Sequence, residues 1–123
     1  MDIFTSSFTK AKNLDDSRFC VVSIARRSPR GFKGMTCRSL APSSELLDDY
    51  HHGLSVSDYE RRYRHEIGEL FDLHHVFETL AVYCKGRDMV LCCYEGDGKF
   101  CHRHLLSDIV YEKFGYRINE LTC

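Results

Sequence analysis

Short apolar runs alternate along this chain with longer segments whose apolar residues recur every three or four positions. FCVVSIA, residues 19–25, is a brief run rich in β-branched residues and reads as a strand. DMVLCCYE, residues 88–95, shows no polar alternation, so it reads as a strand buried on both faces. Asp2–Thr5 fits a short first strand, and YRINEL, residues 116–121, a final edge strand. Between these runs the period changes to that of a helix. SSELLDDYHHG, residues 43–53, suits a short helix capped by Ser43 or Ser44 and stopped at Gly53. Ser57 and Glu60 have capping-box spacing, and Tyr59, Tyr63, Ile67, Leu70 and Phe71 then share one face. Val76, Phe77, Leu80, Ala81 and Cys84 mark a further helix ending at Gly86. Leu105, Leu106, Ile109, Val110 and Phe114 form the stripe of a last helix, which Gly115 closes.

Helices that alternate with buried strands predict an α/β fold: a single small Rossmann-like domain over residues 1–123, its mostly parallel sheet flanked by helices. In such sheets ligands collect beyond the carboxyl ends of the strands. That rule brings together TSS (5–7), ARR (25–27) and YEGDGKFCHRH (94–104).

Composition narrows the function classes. A net charge of −1 does not mark the whole molecule as a nucleic-acid or membrane binder. Residues 25–44 nevertheless carry Arg26, Arg27, Arg30, Lys33 and Arg38 and no acid. This basic loop is a solvated face, pairs with Glu45, Asp48 and Asp49, or contacts a nucleic acid or acidic protein. The start lacks an export signal and MVLCCY is far too short to span a bilayer, so the expectation is a cytoplasmic protein with no membrane partner. Seven cysteines, an odd number with two adjacent, point to reduced thiols, with Cys20, Cys84, Cys92 and Cys93 as small core residues.

LCCYEGDGKFCHRHLL, residues 91–106, carries the densest chemistry. As a metal site its spacing is poor: Cys93 and Cys101 are eight residues apart, and Cys101 and His102 would point about 100° apart on a helix. As a thiol nucleophile, Cys101 would sit at a helix start beside His102 and Arg103, surroundings that lower a thiol pKa. The phosphatase-like spacing, an arginine six residues after the cysteine, is missing, because Lys99 follows Cys93 and Gly98 follows Cys92 at that interval. As a ligand pocket, Gly96 and Gly98 give a turn before a helix N-terminus, where anions bind. The sequence has neither GxGxxG nor a Walker motif.

Four segments, TSSF (5–8), VSIAR (22–26), LAPS (40–43) and LCCYEGDGKFCHRHLL, resemble the family called domain of unknown function 488, in particular its short bacterial and phage members. The resemblance spans nearly the whole chain and implies a compact Rossmann-like domain. Its motif positions are Ser6, Ala25, Arg26, Tyr94, Glu95, Cys101, His102, Arg103 and His104. It also implies a role in nucleotide metabolism, base modification or defence evasion. The double cysteine of LCCY departs from the single one of similar proteins, which counts against a mechanism needing both Cys92 and Cys93.

The expected function is binding of a nucleotide-like or other anionic small ligand, with no metal and no cofactor. Arg103, Arg26 and the helix N-terminal amides would hold the anion, Ser6 and Ser7 would supply hydroxyls, and Tyr94, Cys101 and His104 would complete the site. Glu95 and His102 would orient a polar group or exchange a proton with it. The alternatives are a partner-binding protein acting through the 26–38 loop, and a cysteine- and histidine-dependent enzyme. The sequence does not choose between a binder and an enzyme, and it does not specify an oligomer.

Overall fold

The structure is a computed structural model, and it describes residues 1–68, 72–94 and 101–121. β1 (Ile3–Ser7) leads into a one-turn helix, α1 (Phe8–Ala11), and β2 (Phe19–Ser23) follows. Within the basic loop lie a two-residue strand, β3 (Met35–Thr36), and a 3₁₀ turn at Arg38–Leu40. Three helices come next: α2 (Ser44–His51), α3 (Val56–Gly68) and α4 (Leu73–Cys84). β4 (Asp88–Cys93), α5 (His102–Phe114) and β5 (Asn119–Glu120) complete the order. The five strands pair in the order β3-β2-β4-β1-β5, and every pairing is parallel. The expected α/β class with a parallel sheet and flanking helices is what the chain adopts.

β4 lies at the centre, and its residues from Met89 to Cys93 are all buried. Successive side chains on a strand face opposite ways. Met89, Leu91 and Cys93 therefore join the large core beneath α2, α3, α4 and α5. Val90 and Cys92 join a smaller cluster with Ala11 and Phe8 of α1, together with Phe4, Phe19 and Val21. The unbroken apolar pattern of this strand has its cause in those two covers.

The helix ends follow local chemistry. Ser43 caps α2 by accepting from Leu46 N–H at 3.1 Å, and its own N–H and hydroxyl donate to Glu66 at 2.9 and 2.6 Å. α3 starts earlier than its capping-box spacing predicts, because Ser55 Oγ accepts from Asp58 N–H at 3.1 Å. Gly115 ends α5 at φ 70°, a left-handed conformation that glycine adopts without a Cβ penalty. Phe114, expected in the apolar stripe, is exposed. Leu70 and Phe71 lie outside the described residues. Asp49, expected opposite the basic loop, pairs instead with Arg62 at 2.6 Å. Among the described residues no helix is long and apolar enough to cross a membrane.

The thiols differ from expectation. Cys20 of β2 and Cys84 at the end of α4 are joined as a disulfide, their Cα atoms 5.4 Å apart. Cys93 and Cys101 form a second disulfide, while Cys37 and Cys92 are free and buried. All four of the cysteines assigned to the core are indeed buried. The sequence pattern could not show which of them face one another across the sheet–helix boundary.

Candidate functional site

Beyond the carboxyl ends of β2 and β4 lies a cavity of about 530 Å³. One wall is the chain leaving β2. Ile24 N–H donates to Cys92 O at 2.9 Å and so prolongs the sheet by one residue before Ala25, Arg26 and Arg27 reach the cavity. Arg26 is half-buried, and its Nε donates to the Pro42 carbonyl at 3.0 Å, which anchors its head group. Arg27 is exposed at the rim. The opposite wall is α2, which presents Ser44, Leu47, Asp48 and His51. These positions are three or four residues apart, so they stack on one helical face. Tyr50, Tyr59 and Tyr94 supply rings, and Cys93, Cys101 and His102 are the remaining lining residues from the strand end and α5. Tyr94 is 53% exposed and meets Phe8 edge-to-face at 4.9 Å.

His102 is held from two sides. Its Nε2 lies 2.6 Å from the Ile24 carbonyl. A carbonyl only accepts, so Nε2 carries the proton and Nδ1 carries the lone pair. Burial drives the imidazole pKa down to about 4, against the opposing effect of the Ile24 carbonyl and with help from the charges of Arg103 and His104. The ring is therefore neutral at neutral pH. Tyr63 packs against it edge-to-face at 5.5 Å, with its own hydroxyl donating to Leu40 O at 2.7 Å.

Cys101 stands just before α5 with φ −151° and ψ 144°, an extended conformation. The angle of about 100° between helical neighbours does not apply to a residue outside the helix. Adjacent Cys101 and His102 consequently converge, with Sγ and Nδ1 3.9 Å apart. The geometric objection raised from the sequence against these two acting together falls with that conformation.

Arg103 points elsewhere. It is 0% exposed and donates from Nε and Nη2 to the two carboxylate oxygens of Glu120 at 3.0 and 2.8 Å. Its Nη1 also lies 3.2 Å from Cys93 Sγ. Glu120 accepts in addition from the Thr5 hydroxyl at 2.6 Å. Burial raises the Glu120 carboxyl pKa, but the hydrogen bonds from Arg103 and Thr5 and the Arg103 charge outweigh that and hold it below the usual value.

Of the residues singled out in the sequence, Arg26, Tyr94, Cys101 and His102 meet at the cavity, with Ala25 beside them. Ser6 and Ser7 are buried and turned to local tasks: Ser6 Oγ donates to Ser7 O at 3.1 Å, and Ser7 caps α1. Arg103 and the exposed His104 are not lining residues. Glu95 and the Gly96 and Gly98 turn lie outside the described residues. Sequence reasoning passed over the α2 face. Its signal was the spacing of Ser44, Asp48 and His51 along one side of an amphipathic helix.

Comparison with curated proteins and with solved structures gives no match. A family model does match, DUF488-N3a, described as the active DUF488-N3 subclade, and it covers residues 3–114, both walls and the floor of the cavity included. The chain belongs to the DUF488 family.

Proposed function

We propose that the protein binds a small anionic ligand carrying a polar ring, of the nucleotide type, in the cavity beyond β2 and β4. The observation that carries this reading is the pairing of two cationic side chains, Arg26 and Arg27, with a ring-lined cavity of about 530 Å³. That volume is within the usual range for small-molecule sites. Arg26 supports the anion best, because its anchored Nε leaves a planar, pre-oriented fork that loses little freedom on binding. Tyr50, Tyr59 and Tyr94 offer faces and edges to a ring, and Asp48 and Ser44 offer an acceptor and a hydroxyl to its polar edge.

The test is native mass spectrometry of the purified protein beside its denatured mass, followed by calorimetric titration with a nucleoside 5′-monophosphate and with inorganic phosphate. The expected result is binding of the monophosphate that Arg26→Glu weakens by at least about tenfold, the loss of one charge-assisted contact. Inorganic phosphate, lacking the ring, binds more weakly. Failure of both probes to bind wild type, with no mass excess in the native spectrum, overturns the reading.

A further inference from the structure

The floor of the cavity holds a group of donors that anion binding leaves unused. Cys93, Cys101 and His102 are all buried, and one ligand atom from each, two sulfurs and an imidazole nitrogen, lie within 4.8 Å of one another. Two donors on one tetrahedral zinc ion, at about 2.3 Å for sulfur and about 2.0 Å for nitrogen, stand about 3.5 Å apart. Cys101 Sγ and His102 Nδ1, at 3.9 Å, are already near that spacing. We infer that, in its reduced form, the protein binds a thiophilic divalent ion, zinc above all, through Cys93, Cys101 and His102, with a fourth position open to the cavity.

The surroundings of the three donors match what such an ion needs. A metal-bound histidine typically donates its other ring N–H to a carbonyl or carboxylate, which fixes the tautomer. His102 does so through Nε2 to Ile24 O at 2.6 Å, leaving Nδ1 turned to the sulfurs. Arg103 Nη1, 3.2 Å from Cys93 Sγ, is placed to stabilise a thiolate. Its charge is balanced by Glu120, so the guanidinium does not leave an uncompensated cation beside the ion. The Cα atoms of Cys93 and Cys101 are 7.4 Å apart, which leaves room for their sulfurs to separate onto one ion. Two sulfurs and an imidazole select zinc or a softer ion over magnesium or calcium, which take oxygen ligands. All three residues line the cavity, so the fourth position faces it.

The chemistry balances simply. Two small-molecule thiols reduce the Cys93–Cys101 bond, becoming a disulfide themselves and returning two cysteine thiols. The ion then displaces one proton from each thiol to solvent, and His102 binds through a lone pair without losing a proton. This inference does not depend on the anionic-ligand reading, although both use one cavity.

The experiment starts from the whole protein reduced with an excess of a phosphine and desalted anaerobically. Cobalt(II) is titrated in and then displaced by zinc, and the zinc-loaded protein is alkylated and peptide-mapped. The expected result is one cobalt per chain, with a thiolate-to-metal absorption band that zinc abolishes, and protection of Cys93 and Cys101 from alkylation. Cys101→Ser and His102→Gln weaken cobalt binding by at least about tenfold, while Cys92→Ala leaves it unchanged. The alkylation map on wild type decides the question even if a variant fails to fold. Absence of the band in reduced wild type, or zinc that leaves Cys93 and Cys101 open to alkylation, overturns the inference. Monophosphate binding that persists in His102→Gln while cobalt is lost separates the two readings.

Discussion

Glu120→Gln is the sharpest test of how this fold holds α5. The substitution keeps the shape of the side chain and removes the charge that answers Arg103. Arg103 is 0% exposed and makes a two-pronged contact with Glu120, so on that side the buried guanidinium would face a neutral amide. Breaking a buried pair from one side costs roughly 3–5 kcal/mol. The Glu120 side chain is 25% exposed, so water reaches the vacated side and the lower end applies, about 3 kcal/mol. For a chain of this size that is a fall in Tm of about 12 °C. Urea unfolding followed by circular dichroism should show a lower midpoint at an unchanged slope. The effect carries a pH signature. The folded Glu120 carboxyl sits below its ordinary value of 4.5, so its contribution is fully present above that value and fades as pH falls through the folded pKa. The gap between wild type and Glu120→Gln should therefore narrow in acid. A variant within about 0.5 kcal/mol of wild type at pH 7, the range of ordinary surface substitutions, would refute the reasoning.

Two further outcomes follow from the core. Tyr63→Phe deletes the hydroxyl that donates to Leu40 O at 2.7 Å and leaves a buried carbonyl without that donor; urea unfolding should read a loss of about 1–3 kcal/mol. Burial pushes the Cys92 thiol up to about 12 and raises that of Cys37, so neither should be alkylated by iodoacetamide at pH 8 in the folded protein. Peptide mapping should find both labelled only after unfolding in denaturant without reductant, and rapid labelling of either in the native state would contradict their place in the core.

Much of this architecture was legible because it is written in patterns several residues long. The unbroken run Met89–Cys93 announced a strand covered on both sides, and Ser43 announced the start of α2. β3 was not legible. It is two residues long, held by pairing Val22 with Met35 and Ser23 with Thr36, and two residues carry no period. Gly34 just before it is where the chain passes against the Val21 carbonyl and the Phe32 ring, a close approach that its missing Cβ allows. The disulfides were hidden for a different reason. Cys20 and Cys84 are 64 residues apart, and only the packing of α4 on the sheet brings them together. At the site, Arg26, Tyr94, Cys101 and His102 were legible because residues just past parallel strands converge at one end of the sheet.

Arg103 shows where that convergence argument stops. Placing it in the anion site rested on its position in the first turn of α5, which says how near the strand ends it lies but not which way it faces. Successive helical residues diverge by about 100°. With His102 directed to the Ile24 carbonyl, Arg103 is turned towards β1 and β5, where Glu120 waits 17 residues further along the chain. The two assignments predict opposite phenotypes for Arg103→Met. An anion-binding Arg103 would lose ligand affinity at little cost in stability. A structural Arg103 instead loses stability. Glu120 keeps partial access to water and the Thr5 hydroxyl, so the loss should be smaller than that of Glu120→Gln, about 1–2 kcal/mol. The monophosphate affinity should then stay at the wild-type value. Calorimetry and urea unfolding on the same sample separate these outcomes. A tenfold loss of affinity with an unchanged unfolding midpoint would return Arg103 to the pocket.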